Sequence, residues 1–541
     1  MKAKYIILSV VAATLSLTSC VDNLNTKPLD PREVTADVAY DTPESYVQGL
    51  AKVYGALALT GQSGAGSGEI DGADPGASQF IRALWYLQEF PTDETKNAWP
   101  DQEVPELNYI TWSASPNKAI SGMYYRLTFS VSIVNEYLRQ TSPEKLSTRK
   151  VSEALKEEIQ QYRTEARFIR ALVWSYAIDL FGNMPFFTEN DPIGKYFPDQ
   201  ISRKDLFAYV EKELLEIEPL MAAPRTQVFG RADKAAVWTV LSRLYLNSEV
   251  YTGTAKYSEC ITYSKKVVDA GYGLTPNYSH LFMADNDYTN PNTFKEMIFT
   301  VNFDGAHTQS YGATTFLCVG SRSGSDSSTP ESGMNGGWDG NRALSTLVDL
   351  FPNNDKTDAN GYLISEDKRA IIYTKDRLKN GPAVEKAFKD GYSVYKFRNV
   401  KSTGGMGKNQ GFADTDFPLM RLPEHYLNIA EAVARGGQGA TKAEAIGYIN
   451  KLRERAYGNQ SGNITDYTLQ FVLDERGREL YWEGFRRTDL IRYGLFTSGV
   501  YLWPWKGGSN TGRGVDAKFN LYPIPAADIT ANPKLKQNPG Y

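Results

Sequence analysis

Few residues in this chain are placed to make or break bonds. Histidine occurs three times in 541 residues, as His280, His307 and His425. So small a number argues against a His-based triad or a His-rich zinc site. Carboxylates are plentiful, with 63 Asp and Glu. Hydrolysing a glycosidic bond with retention needs two of them about 5 Å apart, and no spacing here singles out such a pair. The Glu/Arg-rich stretch 475–494 reads instead as a structural ion-pair network on a helix. Asp285-Asn-Asp287 and Asp414-Thr-Asp416 offer oxygen ligands of the kind a hard cation such as calcium takes. The one residue marked for covalent chemistry is Cys20. It closes Leu17-Thr-Ser-Cys20, behind the charged start Met1-Lys-Ala-Lys4 and the apolar run 5–17. This is a secretory leader ending in a lipobox. It predicts cleavage after residue 19 and a lipid on the thiol and the new amine of Cys20. The apolar run is shorter than the about 20 residues needed to span a bilayer, so attachment would come from lipid.

Aromatic residues are the other chemical resource: 34 Tyr, 24 Phe and 9 Trp. A hexose presents a face of C–H groups, which a flat ring can cover. It also has a rim of hydroxyls, which Arg, Asn, Gln and Asp can meet by hydrogen bonds. Context separates core rings from available ones. Trp174, Trp238 and Trp482 fall in helical patterns and read as core, and Trp503 and Trp505 as packing near the C-terminus. Trp99 lies in Asn97-Ala-Trp-Pro-Asp-Gln102 and Trp338 in Gly336-Gly-Trp-Asp-Gly340. The first stretch is polar, holds a proline and lacks helical periodicity, and in the second the flanking glycines put the ring in a loop, so both rings are candidates for exposed platforms.

The elements that must carry these rings are mostly helices. Leu155, Ile159, Tyr162, Ala166, Ile169, Val173, Tyr176 and Leu180 recur at three and four, which predicts a long amphipathic helix stopped by Gly182 and Pro185. Ser202-x-x-Asp205 and Thr441-x-x-Glu444 resemble capping boxes. Further helices are expected over 232–250, 255–270, 424–435 and about 471–483. Short helix pairs rich in Ala and Tyr suggest degenerate tetratricopeptide-like repeats. Between about 275 and 420, Gly, Ser, Asn and Asp dominate, with β-prone pieces such as 297–303, so a loop-rich insertion separates two helical halves. Residues 60–76 also read as loop, and 20–41 as a tether between lipid and domain. Hydrophobic content of 41% is ordinary for a globular fold, and length alone would suggest two to four domains. A net charge of −4 argues against nucleic acid as a partner. Cys260 and Cys318 read as buried thiols rather than a disulfide.

Several segments together resemble the SusD/RagB family. They are Arg163-Thr-Glu-Ala-Arg-Phe-Ile-Arg-Ala-Leu172 with Asp179-Leu-Phe-Gly182, then Gly230-Arg-Ala-Asp-Lys-Ala-Ala236, then Glu475-Arg-Gly-Arg-Glu-Leu-Tyr-Trp-Glu-Gly-Phe485 with its continuation to Gly494. The ending Tyr522-Pro-Ile-Pro525 and Asn538-Pro-Gly-Tyr541 also fits. The resemblance implies a mainly α fold in which tetratricopeptide-like helix pairs support a loop-rich ligand-binding half. It implies one domain over 42–541, which would override the estimate from length. It also implies a non-catalytic, lipid-anchored outer-membrane protein, facing the cell exterior, that captures a polysaccharide and delivers it to a SusC-type TonB-dependent transporter.

Glu89-Phe-Pro-Thr-Asp-Glu94, Tyr311-Gly-Ala-Thr-Thr315, Asn335-Gly-Gly-Trp338 and Tyr501-Leu-Trp-Pro-Trp505 are similar to the starch-binding members of that family. Carried over, an aromatic arc falls on Trp99, Tyr311 and Trp338, with Arg82 and Gln102 as polar helpers and calcium on Asp287 and Asp414. Two positions depart from the pattern: Asn97 stands where a further tryptophan is expected, and Gln102 where an asparagine is. A receptor for a different polysaccharide, an extracellular glycoside hydrolase and a scaffold without sugar affinity are the competing readings. Arg82 has Glu89 and Asp93 as alternative partners.

Overall fold

The structure is a computed structural model that describes residues 36–194, 196–323, 332–379 and 391–541. Cys20, the leader 1–19 and tether residues 20–35 lie outside the described residues. Tyr40 already packs on Tyr46, ring centroids 5.3 Å apart, so ordered packing begins inside the stretch read as tether.

Seven helices build the scaffold that bears on the site: α1 (Pro43–Ala58), α2 (Phe80–Glu89), α3 (Lys118–Gln140), α4 (Glu153–Leu180), α5 (Arg203–Ile217), α6 (Lys234–Leu246) and α7 (Tyr257–Val268). After the loop-rich segment come α8 (Leu422–Ala434), α9 (Lys442–Tyr457), α10 (Leu469–Leu480) and α11 (Arg486–Arg492). Several of their starts are fixed by side chains that take up otherwise unpaired N–H groups. Asn117 caps α3, Ser152 α4, Ser202 α5, Asp233 α6 and Thr441 α9, each worth about 1 kcal/mol. Thr441 and Glu444 form a complete capping box. At α5 the box is half made: Ser202 accepts from the Asp205 N–H, but Asp205 bonds back to the Ser202 hydroxyl.

Neighbouring helices pack in sequence order: α3 on α4, α4 on α5, α6 on α7, α7 on α8 and α8 on α9. The mainly α fold expected from periodicity is what the chain adopts. The expected helix 471–483 is shorter. It stops at Leu480, because Trp482 takes a left-handed backbone (φ 64°), and α11 follows where none was expected.

The loop-rich segment is closed at its neck by an antiparallel pair, Met297–Val301 with Phe417–Arg421 (Met297 opposite Arg421, Val301 opposite Phe417). A second pair joins Thr95–Asn97 to Asn341–Ala343. It matters most for function, because it brings the segments of Trp99 and Trp338 side by side. One hydrophobic cluster runs from Leu50 to Ile524 and includes Trp174, Trp482, Trp503 and Trp505. Trp238, expected in the core, is half-buried, with its indole N–H on Glu218 at 2.7 Å. Cys260 and Cys318 are both buried free thiols.

Stretch 475–494 is the ion-pair network its composition suggested. Glu479 is bound by Arg369, Arg421 and Arg455, Glu483 by Arg421 and Lys396, and Asp489 by Arg476 and Arg492. These groups are almost fully buried. Such a network costs heavy desolvation and holds only when every charge is matched.

Candidate glycan-binding cleft

Arg82 lies in the first turn of α2, and Tyr311 just precedes a short helix, Ala313–Val319. One side chain ties the two together. Gln79 Oε1 accepts from the N–H of Arg82 (2.9 Å) and from that of Ala313 (3.1 Å), while its amide donates to the Leu57 carbonyl (2.6 Å). Glycine is required at position 312, since a Cβ there would lie 2.6 Å from Gln79 Cγ.

Trp99 follows the strand Thr95–Asn97. Asn97 is buried there, its amide donating to Asn341 Oδ1 at 2.6 Å and its own Oδ1 accepting from the Trp99 N–H at 2.8 Å. The residue that departs from the expected aromatic arc therefore faces inward and anchors the next turn. The Trp338 loop hangs on the backbone after the 313–319 helix: Trp338 N–H donates to Val319, and Gly340 N–H to Gly320.

These elements open a cleft of about 530 Å³ lined by Asp74, Pro75, Arg82, Trp99, Asp101, Tyr311 and Trp338. Trp99 and Trp338 are half-buried, and Tyr311 is exposed. Ring centroids are 6.5 Å apart for Trp99–Trp338 and 6.4 Å for Tyr311–Trp338, with interplanar angles of 46° and 51°. The three rings thus form a bent row. Phe316 supports both tryptophans from below, at 6.1 and 6.4 Å.

Beneath the row sits the Arg82 guanidinium, 5.7 Å from the Trp99 ring, 5.5 Å from Trp338 and 4.7 Å from Phe316. It pairs neither with Glu89 nor with Asp93, the partners weighed from sequence. Its Nη1 and Nη2 grip Asp74 at 2.8 and 2.5 Å. Nη1 also reaches the Tyr311 carbonyl (3.0 Å), and Nε and Nη2 both bond the Tyr86 hydroxyl (3.0 and 2.7 Å). A guanidinium has five N–H donors, and all five are used. Burial opposes its charge, but Tyr86 and Asp74 outweigh that and hold its pKa above the ordinary value. Asp93 binds Arg486 (2.7 Å), and Glu89 lies against Glu94.

Four of the five expected residues line the cleft. Gln102 does not: it is exposed, with its amide on Glu106 (3.1 Å). The preceding residue, Asp101, takes the lining position. Asp74, Pro75 and Asp101 carry no ligand signal in the sequence. Asp74 and Pro75 lie in the Gly-rich stretch read only as loop, and Asp-Pro beside glycine is a turn signal rather than a ligand signal.

The carboxylates weighed for calcium converge only in part. Asp416 N–H donates to Asn286 Oδ1 (2.9 Å), which joins the two segments. Asp414 accepts from the N–H groups of Gly305 (2.7 Å) and Lys408 (2.6 Å), and Asp287 from Thr289 (2.8 Å). Burial raises Asp416 well above the usual carboxylate range, and Asp287 and Asp414 add to it. Among the described residues, no group of three or more His, Cys, Asp or Glu is arranged to hold a metal.

A cavity of about 60 Å³ lies within the helical half, lined by paired groups such as Arg243, Glu424, Arg476 and Arg492. It has room for a few waters.

Compared with known proteins, the chain is 37% identical to the Starch-binding protein SusD of Bacteroides thetaiotaomicron over the full length of both. The chain belongs to the SusD family. Its residues 373–541 match the SusD family directly. SusD-like protein P25 of Formosa agariphila is 26% identical over 72% of this chain and 74% of its own. Among solved structures, Surface glycan-binding protein A of Bacteroides fluxus superposes with a TM-score of 0.68 at 20% identity, covering 92% of this chain and 100% of its own. The protein of that name from Bacteroides thetaiotaomicron, solved with laminarihexaose, gives 0.67 at 18%, covering 92% and 99%. The SusD fold is therefore shared well beyond the reach of sequence identity. No described helix is long and apolar enough to cross a membrane.

Proposed function

We propose that this SusD-family chain is a non-catalytic cell-surface receptor. It captures starch or a related α-glucan on the Trp99–Tyr311–Trp338 row and delivers it to a SusC-type TonB-dependent transporter. Lipid on Cys20 holds it to the outer membrane. The observation that carries this reading is the row itself: three rings, none fully buried, bent along an open cleft of about 530 Å³. A bent row suits a curved α-glucan, whose successive sugars turn their C–H faces to successive rings. The full-length relationship to a protein named for starch binding favours that ligand. A β-linked glucan is the second ligand to test, because one structural neighbour is described as a laminarin-binding SusD-like protein.

A hydrolase reading is weaker on geometry. Of the two cleft carboxylates, Asp74 is committed to Arg82, which leaves Asp101 without an available partner acid. Affinity electrophoresis in gels containing amylopectin, laminarin or a panel of other polysaccharides tests the receptor reading. Retardation by amylopectin, lost in a Trp99→Ala, Trp338→Ala double variant, is expected. Release of new reducing ends by pure protein would overturn it.

Binding to a single oligosaccharide should be modest, since sugars also satisfy their hydroxyls in water. Long polymers should bind more tightly through repeated engagement. The calcium ion remains part of the proposal, on Asp287 and Asp414 with Asp416 beside them. A calcium-dependent rise in melting temperature, absent in Asp287→Asn, is its test; identical melting with calcium and with a chelator would rule it out.

A further inference from the structure

The charged groups of the cleft point to a discrimination that the aromatic row cannot make by itself. Three of the seven lining residues are ionic: Arg82, Asp74 and Asp101. A free arginine in a sugar site would attract acidic sugars besides bonding neutral hydroxyls. Here it does not face the ligand as a free cation. It is 1% exposed, its charge is matched by a two-pronged pair with Asp74, and its five N–H groups are spent on Asp74, Tyr86 and the Tyr311 carbonyl.

The carboxylates have the opposite exposure. The Asp74 side chain is 41% exposed. Asp101 is exposed, and among the described residues it takes part in no ion pair. Asp71, on the loop that carries Asp74, pairs with Lys118 at the start of α3, at 3.7 Å. The surface met by a ligand thus has aromatic faces, carboxylate oxygens and one uncompensated negative charge.

We infer that the cleft selects neutral glycans and rejects those carrying uronate or sulfate groups, with Asp101 as the discriminating residue. This inference rests on the glycan-receptor reading above and adds the charge class of the ligand. Hydroxyl groups of a neutral sugar can donate to Asp101 and to the outer face of Asp74, in charge-assisted hydrogen bonds. An anionic substituent can do neither and is repelled. One charge about 6 Å from Asp101, at an effective dielectric of about 40, costs about tenfold in affinity. The net charge of −4 on the whole chain acts in the same direction at long range.

The test is isothermal titration of the purified full chain with maltoheptaose and with laminarihexaose, each beside its derivative oxidised at C6 to the uronate. Each titration is run at about 20 mM and about 0.5 M salt, where the Debye length falls from tens of ångströms to a few. The neutral sugar is expected to bind, with its oxidised form about tenfold weaker at low salt. High salt and Asp101→Asn should each narrow that ratio. Equal affinity for the two forms would overturn the inference, and so would a ratio that neither salt nor Asp101→Asn changes, since the discrimination would then be steric. Absence of binding by both neutral sugars would sink the receptor reading itself, and the inference with it.

Discussion

The indole N–H of Trp99 donates to the backbone carbonyl of Trp338 at 2.8 Å. The two rings that form the longest part of the platform are thus tied across 239 positions of sequence. The tie is half-buried and uses the edge of the indole, so a ligand stacking on a ring face does not compete for it. Pre-fixing the rings removes the ordering cost that mobile side chains would impose on binding.

Trp99→Phe separates ring from tie. It keeps an aromatic face and loses the N–H donor. Retention on the bound polysaccharide should fall about threefold, against tenfold or more for Trp99→Ala, which also removes apolar contact area. Affinity electrophoresis of the two variants side by side checks the order. Equal losses would mean that the tie contributes nothing.

Gly340→Ala reaches the same platform from behind. A Cβ at Gly340 would lie 2.5 Å from Trp99 Cε2 and 2.6 Å from Asn97 Nδ2, closer than real contacts allow. The indole must swing away or the strand must shift. Overpacking of this kind costs about 1–3 kcal/mol. Binding should drop at least as far as in Trp99→Phe while the chain still melts cooperatively, as followed by circular dichroism.

The rings are legible in the sequence and their support is not. Trp99 and Trp338 could be read because they sit in Gly- and Pro-containing stretches without helical period, where a large ring has no core position to fill. The pairing of Thr95–Asn97 with Asn341–Ala343 was invisible, since a three-residue strand carries almost no periodic signal. The partner of Arg82 was also open: Asp74, Glu89 and Asp93 all lie within eleven residues of it, and only the folded path of the 71–79 loop decides for Asp74. Helix ends followed the same logic. The long helix 153–180 was legible from its repeats. The break at Trp482 was not, because a left-handed tryptophan is held by its surroundings: its N–H donates to Glu94 (3.1 Å) and its ring packs edge-on to Trp85 at 5.3 Å.

Arg82→Lys tests the buried cation under the platform. Lysine keeps the charge but has three donors on a single nitrogen. It cannot span Asp74, Tyr86 and the Tyr311 carbonyl together. Leaving such groups unpaired in a buried site costs about 3 kcal/mol. Asp74→Ala should cost somewhat less, about 2 kcal/mol: it leaves the buried guanidinium without its counter-charge, but the Asp74 side chain is 41% exposed and water can enter in its place. Thermal melts rank the two variants. A larger loss for Asp74→Ala would show that the pair, and not the guanidinium network, carries the stability.

Behind the platform, Glu89 and Glu94 form a buried carboxyl pair that makes stability depend on pH. Glu89 accepts from the Gly484 N–H (2.7 Å) and Glu94 from that of Trp482 (3.1 Å). Burial pushes Glu94 up to about 7; Arg486 opposes the rise and Asp93 adds to it. Burial, with the neighbouring Glu94, also holds Glu89 well above the usual range. In the unfolded chain both titrate near 4.5. Between about pH 4.5 and 7 the folded chain therefore binds more protons than the unfolded one, and the pair's contribution to stability falls as pH rises through that window. Glu94→Gln removes the titration at that position. Relative to the parent, the variant should gain up to about 3 kcal/mol on going from pH 4.5 to pH 7. Denaturant unfolding of both proteins across that range measures the difference, and a difference that stays constant with pH would mean that Glu94 is ionised in the folded chain throughout.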